Sequence, residues 1–166
     1  METDREIVAR QIGREPRAFR GVAVRCPFGK PAVTEQSPYD PHGEPFPTTY
    51  YVTCPFLVAA ISRLEAAGGV ERWSEATACD EMLQASRDWA DAESARIRAE
   101  LAAGETGVDG GASLAHGVGG ARRTGSLKCL HAHAGFALAH PAYELGRRIL
   151  AELPQLWPDS CCSEAP

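Results

Sequence analysis

Hydrophobic and polar positions along the chain change period several times, and each change marks an element. Residues 4–12 (DREIVARQI) place Ile7, Val8 and Ile12 at near-helical spacing, and Gly13 follows as a stop; a short N-terminal helix within residues 1–12 is predicted. FRGVAVRC then alternates apolar and polar, PFGKP supplies turn chemistry, and AVTEQ resumes the pattern, which is the signature of a β-hairpin. Residues 37–48 (SPYDPHGEPFPT) are Pro-rich and read as an ordered loop. TYYVTC is β-branched and aromatic and predicts a third strand, with Tyr50 and Tyr51 on opposite faces. Pro55 fits a first helical turn, with Thr53 as the expected N-cap. The helix FLVAAISRLEAA carries Leu57, Ile61 and Leu64 inward and stops at Gly68-Gly69.

Residues 74–103 predict one long Ala-rich helix, with Met82, Trp89 and Ile97 as its apolar stripe. Residues 104–125 form a Gly-rich loop. SLKCLHAHAGFALAH predicts a helix over 126–140 capped by Ser126, and YELGRRILAEL a last amphipathic helix. A Cys-containing tail, 154–166, ends the chain. The pattern predicts an α+β fold: a small antiparallel sheet within residues 19–54, with helices packed on one face.

The chain has 166 residues, of which 44% are hydrophobic and 23% charged. That fits a single domain over 1–166 with a real core. No apolar run approaches the ~20 residues a membrane span needs. The charged start METDREIVAR lacks a signal-peptide pattern, so a cytoplasmic location is expected. A formal net charge of -5 argues against nucleic acid as a partner.

Cysteine changes this picture. Cys26, Cys54, Cys79, Cys129, Cys161 and Cys162 are too many to ignore in a cytosolic chain, where disulfides are rare and metal or thiol chemistry is the better first reading. The densest cluster is Lys128-Cys129-Leu130-His131-Ala132-His133. On a helix Cys129 and His133 share a face, while His131 points about 200° away from Cys129. The expected metal set is therefore Cys54, Cys129, His133 and one of Cys161 and Cys162 around Zn²⁺, with Cys26 in reserve. An iron–sulfur cluster on Cys26, Cys54, Cys129 and a tail cysteine is an alternative cofactor, as is none at all. Cys79 is expected to be plain packing.

GVGGARRTGSLKC supplies a second candidate. Gly119 and Gly120 permit close backbone approach, Arg122, Arg123 and Lys128 add positive charge, and Ser126 sits at the predicted helix start. Together they suit a phosphate or carboxylate, although the segment is not a P-loop. An enzyme acting on a phosphorylated or carboxylated small molecule would bind the anion there and use Cys129 or His131 for chemistry. A protein-interaction module is the third reading.

Three stretches in order also carry a resemblance: GREPRAFRGVAVRCPFGKPAV, PFPTTYYVTCPFLVAAISRLEAAGG, and GVGG followed by KCLHAH. Together they resemble the bacterial family known as domain of unknown function 501, over most of the chain from Gly13 to Cys162. The resemblance implies no established activity. Genes of that family commonly lie near those for enolase, a septum-formation initiator and an exopolyphosphatase, an association that names no residue here.

Overall fold

The structure, a computed structural model, describes residues 1–122 and 127–162. Helix α1 (Asp4–Ile12) opens on a reciprocal cap. Thr3 accepts the Glu6 N–H through its hydroxyl, and the Glu6 carboxylate takes the Thr3 N–H at 2.7 Å. Gly13, at φ 70°, ends it. Strands β1 (Phe19–Arg25) and β2 (Pro31–Gln36) form the predicted hairpin. Cys26 donates its N–H to the Lys30 carbonyl and Gly29 closes the loop at φ 78°. Strand β3 (Tyr50–Val52) pairs antiparallel with β2, giving the order β1-β2-β3. Val33 faces both Val24 and Val52 across the two ladders.

The sheet is covered on both faces rather than one. Five of the six β2 residues are buried, all but Glu35, which alternation allows only if something packs on each side. Helix α5 (Leu130–Ala139) lies on the Tyr50 and Val52 face, with the Phe136 and Tyr50 rings edge to face at 5.6 Å. Helix α1 takes the other face: Val8 is fully buried and Gln11 donates to the Pro31 carbonyl. Of the two tyrosines, Tyr50 is buried and Tyr51 half-buried, as the alternation requires.

Helix α2 (Pro55–Ala66) has Cys54, not Thr53, at its N-cap, and the first bond runs from the Val58 N–H to the Cys54 carbonyl. The predicted single helix over 74–103 is two: α3 (Gly69–Ala78) and α4 (Glu81–Ala102). Asp80 divides them by taking the Met82 and Leu83 N–H groups at 2.9 and 3.2 Å. Ser74 lies inside α3, its hydroxyl bonded to the Val70 carbonyl. The stripe on α4 also differs from expectation. Met82 and Trp89 are exposed, and the buried positions are Leu83, Arg87, Ala90, Ser94, Ile97, Arg98 and Ala102. Three of the seven are small and two are arginines, so counting bulky apolar residues misses the phase of the face. The Gly-rich stretch holds two 3₁₀ turns, Ala112–Ala115 and Val118–Gly120. Helix α6 (Glu144–Ala151) packs Leu145 and Ile149 against the core beside α5. Among the described residues no helix is long and apolar enough to cross a membrane.

Candidate functional site

The approach to α5 decides the site. The helix starts at Leu130, with Cys129 as an extended N-cap residue at φ -159° and ψ 124°. Ser126, the predicted cap, lies outside the described residues, as does Arg123. Because Cys129 stands before the helix, the helical angles do not apply to it. Its sulfur turns to His131, 3.8 Å from Nδ1. His133, the expected helical partner of Cys129, is buried in the core instead. Its Nδ1 pairs with the Tyr143 hydroxyl at 2.7 Å, and burial pushes its pKa down to about 4.

The third member of the cluster comes from α2. A Glu65 carboxylate oxygen lies 3.1 Å from His131 Nδ1 and accepts the Leu130 N–H at 2.8 Å. Glu65 thus caps α5 from a neighbouring helix, supplying the acceptor that Cys129 does not. The other ring nitrogen, Nε2, lies 3.3 Å from both the Val58 carbonyl and the Ser62 hydroxyl. Both ring nitrogens therefore face acceptors, the arrangement that suits an imidazolium. Burial opposes the charge, but the sulfur of Cys129 and the carboxylate of Glu65 outweigh it and raise the His131 pKa to about 9.

Cys129 Sγ, His131 Nδ1 and a Glu65 carboxylate oxygen lie within 4.8 Å of one another, the one set of three or more such donors among the described residues. Cys129 and His131 line a cavity of about 310 Å³ with Tyr51, Val58 and Ser62 on its walls. Cys54 and Cys162, both expected ligands, lie elsewhere, their sulfurs 3.9 Å apart. Burial and the neighbouring Cys162 push the Cys54 thiol up to about 11. Cys26 and Cys161 are buried, and Cys79 is exposed rather than packed.

Glu65 escapes sequence reasoning because it sits among the polar positions of an amphipathic helix, 66 residues from His131. Only the fold brings the two together. Among the expected anion-binding residues, Gly120, Arg122 and Lys128 line a second cavity. Gly119 instead packs on α5, where a Cβ would stand 2.9 Å from that of Ala132.

No curated protein and no solved structure matches this chain. Residues 22–151 match the family described as protein of unknown function (DUF501). That span runs from the hairpin through α6 and takes in Glu65, Cys129 and His131, so the chain belongs to the DUF501 family.

Proposed function

We propose that the protein is a zinc-binding accessory protein in which Cys129 Sγ, His131 Nδ1 and the Glu65 carboxylate hold Zn²⁺, with a fourth position open to the cavity between Tyr51 and Val58. The observation that carries this reading is the convergence of three donors of the right chemistry, two of which, Cys129 and His131, line one cavity. Ligands at ~2.0–2.3 Å from a tetrahedral ion stand roughly 3.2–3.8 Å from one another. The 3.1 and 3.8 Å separations at His131 Nδ1 fit with little adjustment. The Val58 carbonyl beside Nε2 supports the same assignment: it fixes the tautomer that leaves Nδ1 free to ligate. The ion would tie α2 to the start of α5 and add directly to folding free energy.

Elemental analysis of protein purified without chelators tests this. One zinc per chain is expected, lost in Cys129→Ser, His131→Gln and Glu65→Gln and kept in Cys54→Ser. Substoichiometric metal in the wild type, zinc retained by Cys129→Ser, or an iron–sulfur absorption spectrum would overturn it.

The double acceptor environment of His131 favours a second reading, a thiolate–imidazolium pair in which Cys129 is a nucleophile. Lys128 lines a different cavity from Cys129, which speaks against one active site combining the thiol with that cation. Stoichiometric alkylation of Cys129 by iodoacetamide, faster than that of exposed Cys79 and unaffected by zinc, would favour the enzyme over the metal site.

A further inference from the structure

The cavity that takes Lys128 has a volume of about 520 Å³. Pro45 and Pro47 form one wall, and His116, Gly120, Arg122 and Lys128 another. Two extended strips separate it from the Cys129 cavity. Pro47 and Lys128 face one side, while Thr48 and Cys129, the next residues along, face the other. Gly120 makes the near wall thin. At φ +79° it brings backbone where a Cβ would stand 2.8 Å from that of Pro47 and 3.9 Å from Lys128 Nζ.

The charge of this cavity is one-sided. Arg122 and Lys128 are exposed, and neither forms an ion pair among the described residues. Arg98, only 1% exposed, stands behind the wall. Its Nη1 donates to the Phe46 carbonyl at 2.8 Å and its Nε to the Ser113 carbonyl at 3.3 Å, bridging two cavity-lining segments. Its Nη2 is buried with no hydrogen-bond partner. The one acid on the lining, Asp109, is already engaged. It accepts the Tyr39 hydroxyl at 2.7 Å and the Gly111 and Ser113 N–H groups at 3.0 and 2.9 Å. Three fixed cations therefore meet one carboxylate. His116 feels these charges: burial lowers its pKa most, and Arg122, Arg98 and Lys128 lower it further against the opposing pull of Asp109.

We propose that this cavity binds a small phosphorylated molecule through its dianionic phosphate, with Arg122 and Lys128 in direct contact and Arg98 as buried positive charge behind them. An excess of two positive charges matches a phosphomonoester, where a lone carboxylate would cancel only half of it. A polynucleotide is disfavoured by the chain's net charge of -5. The site goes beyond the metal reading and does not rest on it, since the two cavities share no lining residue.

The ring resonances of His116, followed by NMR against pH, test the proposal with inorganic phosphate, glycerol phosphate and acetate as probes. A bound dianion stabilises the protonated ring, so both phosphates should raise the His116 midpoint saturably, and acetate should do so far more weakly. Arg122→Gln and Lys128→Gln should each weaken phosphate binding about tenfold, the loss of one charge-assisted contact. Cys79→Ser, at an exposed residue that lines neither cavity, should leave it unchanged. No saturable shift, or an equal shift in the double variant, would overturn the site. Acetate matching phosphate would overturn the dianion assignment, and exclusion of glycerol phosphate would overturn the phosphorylated molecule. Both cations are exposed, so their loss leaves the fold intact and a negative result interpretable.

Discussion

His133→Asn separates a core histidine from a metal ligand, and its effect can be worked out in advance. His133 is 2% exposed, and its Nδ1 meets the Tyr143 hydroxyl at 2.7 Å. Burial, with a smaller contribution from Arg87, depresses its pKa from 6.5 to about 4. A depressed folded-state pKa contributes stability that is full above 6.5 and is lost as pH falls through about 4. Within that window the unfolded chain takes up a proton that the native core refuses. At 1.36 kcal/mol per pH unit the loss is on the order of 3 kcal/mol. Asparagine keeps an acceptor for Tyr143 but cannot titrate. At neutral pH the variant should be less stable by roughly 1–2 kcal/mol, because the ring volume is lost. Urea unfolding at a series of pH values should show that deficit shrinking and then reversing toward pH 4. Carboxylates titrate alike in both proteins and cancel in the difference. A deficit constant across the window would refute the buried neutral imidazole. Loss of zinc with preserved folding would return His133 to the ligand set.

Three further outcomes follow from other contacts. Glu65→Gln, in chelator-treated protein, should lower the NMR midpoint of His131 from about 9; the stability this raised pKa confers is full below 6.5 and lost as pH rises through about 9, so the variant should cost roughly 1 kcal/mol in acid and little in alkali, and an unchanged midpoint would remove Glu65 from the cluster. Gly135→Ala should destabilise by about 1–3 kcal/mol in urea despite the better helix propensity of alanine, because the new Cβ would stand 2.5 Å from the Tyr50 carbonyl oxygen; a gain in stability would mean that α5 does not lie so close to β3. Asp80→Ala should cost about 1 kcal/mol by uncapping α4, measured by the same unfolding curve, and no loss would show that the break between α3 and α4 does not depend on the cap.

The parts of this fold that are legible in the sequence are those governed by local period. The hairpin, the third strand and α1 follow from alternation and caps that lie within a few residues of each other. The α3–α4 break was hidden because alanine is a good helix former on both sides of Cys79-Asp80, and one aspartate can serve as a helical surface residue or as a cap. The buried face of α4 was misphased because Ala90 and Ser94 pack inward while Met82 and Trp89 are exposed. Bulk marks a core position only when the neighbouring element leaves room for bulk.

Three residues separate the predicted cap of α5, Ser126, from the observed one, Cys129, and that difference decides the chemistry of the candidate site. Inside a helix Cys129 would share a face with His133; one position ahead of the first helical residue it is extended and free to meet His131. The extended conformation has a second effect, since successive side chains there point to opposite sides. Lys128 and Cys129 cannot serve one pocket, and the structure gives each its own. A soft donor cluster and a cationic cavity thus share a wall one residue thick. An anion drawing Lys128 toward its side would pull on the backbone that holds Cys129. If both sites are filled as proposed, loading one should shift the apparent affinity of the other by the same factor in both directions, and zinc affinity measured with and without saturating phosphate is the direct measure of that coupling.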